Sequence, residues 1–192
     1  GRSLGQVPVF VNGGYVRDLL LGKSPDDLDL SICLAGCSED VTVSGLLDQM
    51  PAFAAAAPEL GITIVKVATI LSDESKNKML DTAKAHFTDV DGHKTEVDVM
   101  PTIGEEVYEE GSRIPVRDQR GTPEQDALRR DLTIGAMLLR VGGAALPDEA
   151  MSYELLDFFG GVEDLQQGIL RGPCPGGRPL EEICQDVLRT PE

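Results

Sequence analysis

The stretch FVNGGYVRDLLLGKSPDDLDL, residues 10–30, decides how this chain folds. An apolar run ends on Gly13 and Gly14, a short amphipathic segment follows, and after the Ser24-Pro25 turn the residues alternate polar and apolar. VPVFVN, 7–12, reads as a buried strand, the glycine pair as a tight turn, and YVRDLLL, 15–21, as a helix stopped at Gly22. The period-two pattern of DLDLSICL, 27–34, predicts a half-buried strand with Asp27 and Asp29 on one face and Leu28 and Leu30 on the other. Two hard carboxylates at i and i+2 suit a divalent cation such as Mg2+ holding a triphosphate. A strand, glycine turn and helix in succession present backbone N–H groups to a phosphate, and Arg17, one turn into that helix, has the reach to join them.

Outward from this stretch, GITIVKVATI, 61–70, reads as a strand, and TAKAHFTDV, 82–90, and KTEVDVM, 94–100, as a hairpin around Asp91-Gly92. In the second hairpin strand Val97 and Val99 alternate with Glu96 and Asp98, so those acids face together. Asp98 is the candidate for a third carboxylate, which would complete a site for two ions, one activating a hydroxyl and the other steadying a leaving pyrophosphate. SEDVTVSGLLDQM, 38–50, opens on a cap residue and turns helical, while the Ala-rich stretch at 52–60 is compatible with helix or insertion loop. GTPEQDALRRDLTIGAMLL, 121–139, opens with Thr122 as cap, Pro123 at the first helical position and Gln125 placed to close a capping box. Arg129, Arg130 and Asp131 then lie on or beside a helix. YELLDF, a Gly160-Gly161 turn and VEDLQQGIL predict a last strand and helix, and GPCPGGRP, 172–179, reads as a linker leading into the start of another helix. The division expected is a domain over 1–172 and a linker with a partial helix over 173–192.

A length of 192 residues suffices for one domain with a real core. Cys33, Cys37, Cys174 and Cys184 are too irregularly spaced for a disulfide scaffold, and the two histidines fall in no Cys/His pattern, which argues against structural zinc. No apolar run approaches the roughly 18 residues of a membrane span, and GRSLGQ is no signal peptide. A soluble protein of the cytoplasm or an organelle matrix, without a membrane partner, is the expectation. The net charge of −16 argues against a broad basic surface for nucleic acid. The charge is uneven, and Arg113, Arg117, Arg120, Arg129 and Arg130 mark the segment where a polyanion is expected to meet the chain.

Taken together, the motifs resemble the class II tRNA nucleotidyltransferases, which include the CCA-adding enzymes and the bacterial poly(A) polymerases. The GGxVRDxLLG signature of that family is matched by Gly13, Gly14, Val16, Arg17, Asp18, Leu20, Leu21 and Gly22, and its D-x-D by Asp27 and Asp29. ESKNKMLDTAKAHF, 74–87, and the run from Arg113 to Ile134 resemble segments of the eukaryotic-type enzymes. LLDFFGGVEDLQQGILR, 155–171, resembles the D-x-x-G-G-x-x-DL element that precedes an arginine.

The resemblance implies a nucleotidyltransferase fold of the DNA polymerase β type, an α/β (α+β) architecture with a mixed sheet flanked by helices. It implies that Asp27 and Asp29, with Asp98 as third carboxylate, hold Mg2+, and that Gly13, Gly14, Arg17 and Asp18 form the triphosphate motif. Arg129, Arg130 and Asp131 would engage the incoming CTP or ATP, and the acceptor would be the 3'-hydroxyl of an RNA such as tRNA. Two positions depart from the pattern: Gly135 stands where the family has Asn, and MPTIGEE lacks the arginine expected after the third acid. LEEICQDVLRTPE only approximates the helix that leads into the family's neck, so neck and body would come from further domains or subunits. The competing expectation is a catalytically inactive module of the same fold, retained as a structural or regulatory subunit.

Overall fold

The computed structural model describes residues 7–25, 27–70, 81–104, 107–108, 115–116, 120–142 and 152–174. In chain order the elements are β1 (Val9–Asn12), α1 (Gly13–Leu20), β2 (Leu28–Ile32), α2 (Val43–Leu47), α3 (Met50–Ala56), β3 (Ile62–Ile70), β4 (Thr82–Asp89), β5 (Lys94–Pro101), β6 (Val107–Tyr108), β7 (Pro115–Val116), α4 (Pro123–Leu128), β8 (Leu138–Gly142), β9 (Ser152–Leu156) and α5 (Gly161–Gln167). Short 3-10 turns cover Pro58–Leu60 and Thr133–Gly135. One sheet runs β3-β4-β5-β2-β1-β8-β9, and β6 pairs with β7 in a separate ribbon. β2 and β5 are parallel, while the other neighbours in the large sheet are antiparallel, so the sheet is mixed.

Alternation along these strands sorts the side chains onto two faces. Val11 lies opposite Leu30 and Leu139, Leu30 opposite Val99, and Val99 opposite Ala83, which makes one apolar face across five strands. Against that face pack Val43 and Leu47 of α2, Val16 of α1, and Val162 and Leu165 of α5. Full burial of a Val or Leu is worth roughly 1.5–3 kcal/mol, so this face sets the register. A slip of one residue would drive Asp29 and Asp98 into the core. The opposite face therefore carries the polar row, Asp29 beside Asp98 beside Lys84.

Several boundaries differ from the sequence expectation. Gly13 and Gly14 form the first turn of α1 rather than a tight turn before it. Neither glycine has a positive φ, so left-handed backbone is not what they supply. The cap of α2 is Thr42, whose hydroxyl accepts from the Gly45 N–H at 3.0 Å, while Ser38, the first expected cap, donates instead to Asp40. The Ala-rich stretch is α3 followed by a 3-10 turn, a helix with no buried residue. β8, where the sequence analysis expected no strand, is an inner strand between β1 and β9. The strand and helix that end the domain are shorter than expected, β9 and α5. The expected capping box is present: Thr122 Oγ1 accepts from Gln125 N at 3.2 Å and Gln125 Oε1 accepts from Thr122 N at 2.8 Å. Cys33, Cys37 and Cys174 are free thiols. Among the described residues no helix is long and apolar enough to cross a membrane.

Candidate active site

Parallel pairing of β2 with β5 sets Asp29 directly opposite Asp98. Asp27 lies one residue ahead of β2 and is exposed, and all three acids line a cavity of about 620 Å3 together with Lys84, Lys94 and Glu96. Burial first, and then the charges of Asp98 and Asp27, raise Asp29 above the ordinary carboxylate range, with Arg130 and Lys84 pulling it part of the way back. This crowding of like charges is one that a cation relieves. Lys84 already meets part of it, standing 3.2 Å from Asp98 Oδ1 and pairing also with Glu96. Among the described residues the three ligand atoms lying within 4.8 Å of one another belong to Asp89, Asp91 and His93, exposed at the β4-β5 turn. The acids of the sheet line one cavity without converging that closely. Asp89 and His93 are bound into their own turn, since Asp89 Oδ1 accepts from the N–H groups of Asp91 and His93, both at 2.9 Å.

Val11 opposite Leu30 brings the end of β1, and so the start of α1, to the level of Asp29. Asn12 precedes the helix but makes no side-chain cap. Its amide instead donates to Ser31 Oγ at 2.8 Å, across the sheet. The first-turn amides of α1 thus have neither an intrahelical acceptor nor a side-chain cap, which leaves a positive helix end beside the exposed Gly14. The two glycines have different physical reasons. A Cβ on Gly13 would stand 2.3 Å from the Gly135 carbonyl oxygen, so Gly13 lets α1 press against the turn after the arginine pair. A Cβ on Gly14 would meet only Arg17 Nη2 at 3.9 Å, because Arg17, three residues on, folds back toward the helix start. Arg17 Nε donates to Asp18 Oδ1 at 2.9 Å, which lowers the Asp18 pKa and steadies the guanidinium.

The two arginines after α4 are held by an acid that the sequence analysis did not single out. Asp126 is fully buried. It accepts from Arg129 Nε at 2.8 Å, from Arg130 Nη2 at 3.0 Å and from the Ile103 N–H at 3.1 Å. Its spacing of three and four residues before the arginines on one helix was the available signal. Arg130 is thereby fixed near enough to Asp29 to act on its charge. Asp131 is exposed at the end of the pair.

Residues 157–171 lock this loop in place. Asp157 accepts from the N–H groups of Gly161 at 2.7 Å and Val162 at 2.9 Å, capping α5. Gly160 has φ +76°, and a Cβ on Gly161 would stand 2.4 Å from Thr133 O, so each glycine answers a separate backbone need. Asp164, 1% exposed, accepts from Thr133 Oγ1 at 2.5 Å and Arg171 Nε at 2.7 Å. The motif read as a family signature is thus a clamp on the residues just past Asp131.

Of the arginines expected to receive a polyanion, Arg113 and Arg117 lie outside the described residues, and Arg120 donates to the carbonyls of Ser38 and Glu39, both at 2.9 Å. Lysines missed in the sequence lie instead on the polar sheet face: Lys66, Lys84 and Lys94, with His86 among them, are spread over three strands and brought together by pairing.

The family model described as the poly A polymerase head domain matches residues 9–171. The mitochondrial CCA tRNA nucleotidyltransferase of Candida glabrata is 37% identical over 189 residues, covering 96% of this chain and 32% of its own length. That of Saccharomyces cerevisiae is 34% identical over 180 residues, covering 93% of this chain and 29% of its own. Among solved structures, a CCA-adding enzyme in its apo form II superposes with a TM-score of 0.52 at 26% identity, over 88% of this chain and 31% of that one. The chain spans about a third of the length of these curated relatives. The fold is the expected nucleotidyltransferase fold, a mixed sheet flanked by helices.

Proposed function

The chain belongs to the poly A polymerase head domain family, and from that membership we propose that it is the head of an enzyme transferring a nucleotide from CTP or ATP to an RNA 3'-hydroxyl. Addition or repair of the tRNA CCA end is the reaction this reading favours. Residues 1–172 would form the head and 173–192 the linker and start of a neck, with RNA-gripping surface supplied by further domains or subunits. An organelle-matrix setting follows the mitochondrial names of two relatives and belongs to the same reading.

The observation that carries it is the register of Asp29 against Asp98, with the uncapped start of α1 at the same level. Asp27, Asp29 and Asp98 would hold Mg2+, which when bound offsets triphosphate charge and activates the attacking hydroxyl. The donor set fits, being three hard oxygen ligands of which one, Asp29, is raised in pKa by burial first and then by its neighbours' charge. The amides at Gly13 and Gly14 receive the triphosphate, and Arg17, steadied by Asp18, covers it. Arg129 and Arg130, fixed by Asp126, and Asp131 flank the nucleotide. The RNA 3'-oxygen bonds to the α-phosphorus as the bond from that phosphorus to the β-phosphate oxygen breaks. Pyrophosphate leaves, and the hydroxyl proton passes to a carboxylate of the acid row and on to water.

The test is incubation with Mg2+, labelled CTP or ATP, and a tRNA lacking its 3'-terminal nucleotides. Lengthened tRNA that disappears on chelation is expected. No incorporation, combined with no nucleotide-dependent rise in melting temperature, overturns the reading.

A further inference from the structure

The polar face of the sheet continues past the acids toward its β3 edge, and its charge changes sign on the way. Asp98 is opposite Lys84, Glu96 is opposite His86, and His86 is opposite Lys66, so these side chains share one face. Lys94 joins them from the start of β5, opposite Thr88. A second cavity of about 580 Å3 is lined by Lys66, His86, Thr88, Lys94 and Glu96, and it shares Lys94 and Glu96 with the acid cavity. The two make one trough, acidic around Asp27, Asp29 and Asp98 and basic around Lys66 and Lys94.

Among the described residues the only acid lining the second cavity is already engaged. Glu96 pairs with Lys84 and stands 3.3 Å from His86 Nδ1. Lys66 and Lys94 are exposed, and among the described residues neither forms an ion pair. Two exposed lysines on one sheet face, without an ion pair among the described residues of a chain of net charge −16, favour an anionic ligand.

We propose that this half of the trough, with Lys66 and Lys94 as its cations and His86 between them, binds the backbone phosphates of the RNA strand whose 3'-hydroxyl is extended at Asp29 and Asp98. The inference rests on the function proposed above and assigns the second reactant its place. The start of α1 lies toward the β1 side of Asp29, pressed against Gly135 in the turn after the arginine pair, and this is where the proposed function puts the triphosphate. Lys66, His86 and Lys94 lie on the other side, toward β3. Attack on the α-phosphorus is in line, with the incoming hydroxyl opposite the leaving pyrophosphate, so the strand and the triphosphate approach the acids from opposite directions. A strand laid over β4 and β3 has that approach, and contacts to its phosphates position it without reading bases.

The test compares the wild-type chain with K66Q, an exposed substitution that lines the second cavity and not the acid cavity, using a fluorescent single-stranded RNA ending in CC and, separately, Mg2+ with CTP or ATP. The variant is expected to bind the RNA about fivefold more weakly, with nucleotide affinity within about twofold of wild type. A lost phosphate contact removes about 0.7 from the slope of log affinity against log salt for a single strand, so the gap should narrow roughly 2.6-fold between about 50 and 200 mM salt. RNA affinity that ignores the substitution while nucleotide binding persists overturns this inference and leaves the proposed function standing. A wild-type chain that binds neither RNA nor nucleotide overturns both. A poly-glutamate peptide that binds as tightly as the RNA, with the same loss in the variant, overturns the assignment to RNA.

Discussion

Asp98 on β5 stands opposite Asp29 on β2, through the pairing that joins two parallel strands of the sheet. That relationship explains why an acidic chain concentrates carboxylates here: Leu28, Leu30, Val97 and Val99 fill the core from one face, so the acids between them are driven to the other. Burial first, and then this crowding, raise the proton affinity of Asp29.

A consequence concerns stability. Asp29 has a folded-state pKa above its unfolded one, from burial first and then from Asp98 and Asp27. Between those two values the folded chain binds more protons than the unfolded chain, so stability falls as pH rises through them and the penalty is fully present above the folded pKa. In metal-free buffer at neutral pH, Asp29→Asn should therefore melt higher than wild type. The gain should shrink as pH falls below the folded pKa and vanish below the unfolded one. A set of thermal melts across pH 3–7 checks the sign.

The two glycines at the start of α1 should respond in opposite ways. Gly13→Ala places a methyl 2.3 Å from the Gly135 oxygen and should cost about 1–3 kcal/mol, roughly 2–12 °C in Tm. Gly14→Ala meets nothing closer than Arg17 Nη2 at 3.9 Å and gains helix propensity, so it should melt at or above wild type. Its loss should be in nucleotide affinity, read by titration with CTP or ATP.

Asp126 should matter more for folding than the arginines it holds. Removing a fully buried carboxylate that binds two guanidinium groups and a backbone amide leaves buried donors unpaired, and Asp126→Asn should cost about 3–5 kcal/mol. Arg129→Gln, which leaves Arg130 and Ile103 in place, should cost less. Urea unfolding of the two variants gives the order.

Much of the site was legible because its parts are local. Period-two alternation put Asp29 on the polar face, with Asp27 just ahead of the strand and lining the same cavity, and the hairpin pattern put Glu96 beside Asp98. The capping box was readable from Thr122 and Gln125 alone. What the sequence could not disclose is pairing: Lys66, Lys84, His86 and Lys94 become neighbours only because β3, β4 and β5 lie side by side. β8 was hidden for a related reason, since an inner strand without polar alternation has the same composition as a buried helix. The reason for Gly13 was equally hidden, because its contact is with Gly135, over a hundred residues away.

The role we propose for the acid row on β2 and β5 is nucleotidyl transfer. It is tested most directly by measuring incorporation of labelled CTP or ATP into a tRNA lacking its 3' end, with Mg2+, for wild type, Asp29→Asn and Asp98→Asn. Each substitution should lower the rate by about 10²–10³-fold or more while the variant remains folded. Incorporation that survives both substitutions at the wild-type rate would contradict the account.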